Sequence, residues 1–160
     1  MFQGWPKRRV WSSFGEVATL IIDASVAFKW IVPEEDTDAA MALLGPGLVA
    51  PSLILAEVGN AIGKRVRRGE LAWSDTLPSD LERLSSLLDL RDEADFIGRA
   101  LRIGHELNHA IYDCVYLALA EVTGDVMVTA DERFSAKVAL HPLGVRVCLL
   151  SSLQQSGAGG

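Results

Sequence analysis

The stretch Leu20-Ile21-Ile22-Asp23-Ala24-Ser25 decides the fold. Three bulky apolar residues end abruptly at an acid, and two positions later comes a serine, a residue type that caps helices. A run this short, bounded by a capping signal, reads as a buried strand handing over to a helix. The helix spans residues 25–32 and is stopped by Pro33. The same change of period recurs downstream. Acids at Glu34-Glu35-Asp36 precede a helical run through Leu44, complementing its dipole. Leu48-Val49-Ala50 is a second strand ending at Pro51, and Ser52 caps a long helix that runs to Arg68, before Gly69. Helices are predicted at about 79–88, 93–106, 111–123 and 131–138, and strands at 126–129 and 145–150. Strands alternating with helices give an α/β fold with a central, mostly parallel sheet covered on both faces. Ligands of such folds gather at the carboxyl ends of the strands, where Asp23 and Asp131 fall.

A chain of 160 residues, 49% apolar and 22% charged, suits one domain and excludes wholesale disorder. The net charge of −6 is wrong for a sequence-blind nucleic-acid binder, yet it suits a nuclease with an acidic metal site and its cations on one face. Cys114 and Cys148, each flanked by apolar residues, read as core thiols of a reducing compartment, and the chain is expected in the cytoplasm. Histidines 105, 109 and 141 match no zinc spacing and read as surface or loop residues. The apolar run 17–32 is short and carries Asp23 and Lys29, so no membrane span is expected. Residues 1–18, with Lys7-Arg8-Arg9 and scattered aromatics but no periodicity, are expected to be a flexible extension. The domain then covers 19–152, and 153–160 form a flexible tail.

Four carboxylates lie at the ends of apolar stretches or inside them: Asp23, Glu57 in Ile54-Leu55-Ala56-Glu57-Val58, Asp113 in Ala110-Ile111-Tyr112-Asp113-Cys114-Val115, and Asp131 after Val126-Met127-Val128-Thr129-Ala130. Each alone is explained as a cap or a helix-dipole partner, and the signal lies in the set. Two carboxylates ~5 Å apart at an effective dielectric near 20 repel by roughly 3 kcal/mol, so a converged set must protonate or take up a cation. Oxygen-only ligation selects Mg²⁺ or Mn²⁺ over zinc. On the helix 52–68, Glu57, Asn60, Lys64 and Arg67 form one polar stripe, which leads into the basic run Lys64-Arg65-Val66-Arg67-Arg68. Lys29, Lys64, Arg67, Arg68 and Arg133 are the candidate contacts to a polyanion's phosphates, which are RNA phosphates under the family resemblance given below. Gly59 and Gly63 inside this helix imply the close approach of another helix or of a partner chain, the first being preferred.

Ile22-Asp23-Ala24-Ser25, Ala50-Pro51-Ser52 with Glu57-Val58-Gly59-Asn60-Ala61, Tyr112-Asp113 with Tyr116-Leu117-Ala118-Leu119-Ala120, and Val128-Thr129-Ala130-Asp131-Glu132-Arg133-Phe134 resemble the PIN domain. More narrowly, they resemble the VapC-type ribonuclease toxins of bacterial toxin–antitoxin pairs, in order and over about residues 20–150. The resemblance implies a three-layer α/β/α fold, with Asp23, Glu57, Asp113 and Asp131 as catalytic and metal-binding acids and Ser25, Asn60 and Thr129 as polar neighbours. It further implies a Mg²⁺- or Mn²⁺-dependent endoribonuclease that forms a homodimer and is held inactive by a cognate antitoxin. Two departures stand out: the lead before the first strand, and the lack of a further aspartate just beyond Asp131, where some members place one for a second metal. Phe28, Trp30, Ile31, Met41, Leu43 and Leu44 are expected to leave an apolar groove for the antitoxin's tail. Two rival readings are a phospho-acceptor signalling domain and a catalytically silent PIN-like binding module. The first requires paired acids after the first strand and a lysine at the end of the last, and neither is present.

Overall fold

The computed structural model describes residues 19–155. In chain order its elements are β1 (Leu20–Ile22), α1 (Ala24–Ile31), α2 (Thr37–Ala42), β2 (Leu48–Pro51), α3 (Ile54–Arg67), α4 (Leu77–Leu87), β3 (Asp89–Arg91), α5 (Ile97–Leu107), α6 (Ile111–Thr123), β4 (Val126–Thr129), α7 (Glu132–Val138), β5 (Val147–Leu149) and α8 (Leu150–Gln155). The five strands form one sheet in the order β3-β2-β1-β4-β5, and every pairing is parallel. The chain winds outward from β1 through β2 to β3, then crosses back to β4 and β5. Right-handed crossovers put the helices of the two halves on opposite faces, giving three layers. The direction of winding reverses between β1 and β4, which is where parallel α/β sheets open a crevice.

β1 and β2 are buried along their whole length, as parallel strands covered on both faces should be. Helix α6 is buried from Cys114 through Ala120. The carboxyl end of β1 is held against β4 by the register Ile22↔Val128.

Several sequence expectations change. The edge strand β3 is missed by hydrophobic pattern because Asp89 and Arg91 are exposed and Leu90 is only half-buried. Charge on an edge strand is a normal defence against unwanted pairing. The last strand begins at Val147, since Pro142–Arg146 forms a 3-10 turn. The helix expected from 93 is divided into a 3-10 turn, Glu93–Asp95, and α5. Ser52 does not cap α3. Its hydroxyl donates to Glu93 at 2.9 and 3.0 Å, and Glu93 also accepts the Leu53 backbone N–H, so a residue from beyond β3 closes this helix start. Past residue 152 the chain continues as α8 to Gln155, with Leu153 against the core. The close approach expected at Gly59 is real: a Cβ there would stand 3.0 Å from Leu81 of α4.

The expected apolar groove is overturned. Phe28, Trp30, Ile31, Leu43 and Leu44 are all core residues, and the Trp30 indole donates to the Ala40 carbonyl at 2.7 Å. The reason is the position of α1, which lies against α2, α3, α4 and β4 and so has no free apolar face. Lys29 is also withdrawn from any ligand: it is 8% exposed and donates to Glu34 at 2.9 Å and to the Glu35 carbonyl at 2.7 Å. Among the described residues no helix is long and apolar enough to cross a membrane.

Candidate active site

Asp23 emerges from the carboxyl end of β1 and is almost wholly buried. Its Oδ1 caps α1 by accepting the Val26 N–H at 3.1 Å, and it also accepts the Ser25 hydroxyl at 2.6 Å. Its Oδ2 accepts the Thr129 hydroxyl at 2.5 Å. The two hydroxyls are themselves positioned by the turn after β4: the Ala130 N–H donates to Ser25 Oγ at 2.9 Å and the Asp131 N–H to Thr129 Oγ1 at 3.0 Å. Burial nonetheless outweighs these bonds and, with a smaller contribution from the Asp113 charge, lifts the Asp23 carboxyl to about 6.

Glu57 lies in the first turn of α3 and Asp113 in the first turn of α6. Burial pushes Glu57 up to about 7, the Tyr116 hydrogen bond opposes that shift, and the charges of Asp113 and Asp23 add to it. Three acids from three separate elements therefore feel one another at the reversal point of the sheet. Tyr116, fully buried one turn beyond Asp113, donates its hydroxyl to Glu57 Oε1 at 2.8 Å. Burial first, then the acidic charges led by Glu57, hold its phenol far above the usual range, so it remains a donor.

Asp131 stands slightly apart. Its Oδ1 caps α7 through the Phe134 N–H at 2.9 Å, and its charge is not among those that raise Asp23 or Glu57. It joins the group through Thr129. Asn60 is exposed on α3, one turn beyond Glu57. Lys64, Arg67, Arg68 and Arg133 are exposed, with Arg68 at 4.0 Å from Glu70.

Two residues of the site, Tyr116 and His109, escaped sequence reasoning. His109, assigned to surface or loop, places Nε2 2.6 Å from Asp113 Oδ2. The available signal was its position four residues before an acid in an apolar setting.

The donor set fits a hard divalent cation in kind: carboxylate oxygens only, two of them lifted by burial and mutual repulsion, which a cation would relieve. Among the described residues no three His, Cys, Asp or Glu side chains close around one point. Asp23, Glu57 and Asp113 are each turned toward a hydrogen-bond donor of their own.

The sheet is doubly wound and parallel with acids at its reversal point, and the family model described as "PIN domain" matches residues 20–139. The chain belongs to the PIN domain family, and its relatives place it among the VapC proteins. It is similar to Ribonuclease VapC3 of Pyrobaculum aerophilum, at 31% identity over 123 residues, covering 74% of this chain and 93% of that one. It is also similar to Exonuclease VapC9 of the same organism, at 31% identity over 124 residues, covering 73% and 84%. In fold it resembles the crystal structure of PAE2754 from Pyrobaculum aerophilum, with a TM-score of 0.62 at 24% identity over 88% of this chain and 98% of that one. A chain of a toxin–antitoxin complex from Klebsiella pneumoniae gives a TM-score of 0.60 at 12% identity, over 82% and 98%.

Proposed function

We propose that this chain is the toxin of a toxin–antitoxin pair, a Mg²⁺- or Mn²⁺-dependent endoribonuclease that hydrolyses RNA phosphodiester bonds. The observation that carries the reading is the group of Asp23, Glu57 and Asp113, drawn from the end of β1, α3 and α6, in which burial first and one another's charge second raise Asp23 and Glu57. The names of the VapC relatives support it. Asp23 and Asp113 would hold the metal, with Glu57 and Asp131 completing or orienting the site. Such an ion lowers the pKa of a bound water and offsets charge on the departing oxygen. The protein's own contribution is placement. Ser25, Thr129 and the α1 amide fix both oxygens of Asp23. Tyr116 occupies Oε1 of Glu57 and so fixes how the carboxylate faces the site. Lys64, Arg67, Arg68 and Arg133 are the cations offered to RNA phosphates.

Binding of an antitoxin, homodimerisation and a cytoplasmic site of action complete the proposal. The strand order weakens the phospho-acceptor rival, whose usual sheet runs 2-1-3-4-5, whereas this one runs β3-β2-β1-β4-β5. Exonucleolytic cleavage is the one alternative favoured by a specific finding, the name of the second relative. RNA hydrolysis with Mn²⁺, beside a chelator control and Asp113→Asn, tests the chemistry. Full activity in the variant or in chelator refutes it. A circular RNA substrate separates the modes, since only an endonuclease opens it.

A further inference from the structure

His109 sits in the short connection between α5 and α6, where its backbone and its ring are both held. Asn108 before it adopts a left-handed conformation (φ 46°) that ends α5, and its carbonyl accepts the Lys137 ammonium at 2.8 Å. The His109 N–H donates to the Gly104 carbonyl at 2.9 Å. Its own carbonyl packs so closely that a Cβ on Gly104 would lie 3.0 Å away. The imidazole leans on the buried Phe134 ring, with centroids 5.0 Å apart and planes tilted by 42°. Phe134 is also the residue whose N–H is capped by Asp131. The result is a fixed nitrogen 2.6 Å from Asp113 Oδ2.

We propose that His109 is a positioning residue for Asp113: it occupies Oδ2 and sets the carboxylate's rotation so that Oδ1 is presented to a divalent cation. This rests on the metal-dependent reading given above. A carboxylate bound to an ion through one oxygen is normally steadied by a donor on the other, and loss of such a partner typically weakens metal binding about 10–100-fold. The side chain is suited to the task because its backbone and ring are fixed independently of the acid. Phe134 extends the device to α7, coupling the ring that steadies His109 to the amide that holds Asp131.

The test is Mn²⁺ binding to the full chain by calorimetry, with cleavage as a second readout. His109→Ala should raise the Mn²⁺ dissociation constant about 10–100-fold. The Mn²⁺ needed for half-maximal cleavage should rise in step, while the rate at saturating Mn²⁺ stays near that of the parent. His109→Gln, which can still donate to Oδ2, should recover most of the loss, whereas His109→Phe, which fills the space without a donor, should not. Circular dichroism and melting of each variant separate misfolding from the specific effect. Unchanged or tighter Mn²⁺ binding in a folded His109→Ala protein overturns the proposal, as does equal loss in the Gln and Phe variants. If the parent binds no Mn²⁺, the metal reading fails and this inference with it. If the parent binds Mn²⁺ and Asp113→Asn does not, an unaffected His109→Ala overturns the positioning role alone.

Discussion

Asp23→Asn should make the metal-free protein more stable at neutral pH while removing its response to metal. Asp23 titrates at about 6 in the folded chain against an ordinary 3.8. A difference of about two pH units corresponds to about 3 kcal/mol of opposition to folding once the group is ionised in both states. Because the folded value is the raised one, the penalty is absent below pH ~4, grows as pH rises through about 6, and is complete near pH 7.5. Asparagine removes the charge and keeps the shape. Its Oδ1 still accepts the Val26 N–H and the Ser25 hydroxyl, and its amide donates to Thr129 Oγ1 in place of the bond that ran the other way. The Thr129 proton then turns toward Ser25 Oγ, 3.5 Å away. The folded value of about 6 already includes the Ser25, Thr129 and Val26 bonds to the carboxylate, so the expected gain at pH 7.5 is about 3 kcal/mol, or roughly 6–12 °C in Tm for a domain of this size. Relief of the Asp23 charge also eases Glu57, in the same direction. The assay is thermal melting from pH 4 to 8 in chelator, repeated with Mn²⁺. The two proteins should converge at pH 4 and separate by pH 7.5, and Mn²⁺ should raise only the parent. A variant less stable than the parent at pH 7.5 in chelator, or a gap that does not change with pH, refutes the reasoning.

Two further outcomes follow from packing. Glu93→Ala removes the carboxylate that accepts both the Ser52 hydroxyl and the Leu53 N–H at the start of α3, and should cost about 1–2 kcal/mol in urea unfolding, with Glu93→Gln intermediate. Gly104→Ala drives a methyl into the His109 carbonyl at 3.0 Å, within 3.7 Å of Cys114 Sγ, and should lower stability by roughly 1–3 kcal/mol; a melting temperature equal to the parent's would show that the α5–α6 turn yields.

The parts legible in the sequence are those in which one local signal suffices. Leu20–Ile22 and Val126–Thr129 read as buried strands because every residue is apolar or β-branched, and the acids just beyond them mark the working edge of the sheet. The parts that were not legible depend on partners distant in the chain. β3 is a strand only because β2 pairs with it, Ala50 opposite Leu90 and Pro51 opposite Arg91, although Asp-Leu-Arg has no strand character of its own. Ser52 looks like a cap, but Glu93, 41 residues away, takes over that task. Trp30 and Phe28 look like an exposed apolar face until α2, α3 and α4 close around them. The acids are visible as a set, whereas the donors that aim them are a mixture. Ser25 lies two residues from Asp23, the acid it serves, whereas Thr129 reaches the same acid from 106 residues away, across the β1–β4 pairing. Tyr116 and His109 become part of the site only because α6 and the turn before it place them beside Glu57 and Asp113.

The hydroxyls on Asp23 carry a consequence for folding fidelity. Thr129 reaches Asp23 only because β1 and β4 pair with Ile22 opposite Val128. Slipping β4 by one residue would set Val128 or Ala130 where Thr129 stands and leave a buried carboxylate facing a hydrocarbon, a loss of several kcal/mol. Two short apolar strands of three and four residues would otherwise discriminate weakly between neighbouring alignments. The acid of the site thus proofreads the sheet, and a chain that has lost it keeps its charge balance more easily but surrenders the check on which alignment it has adopted.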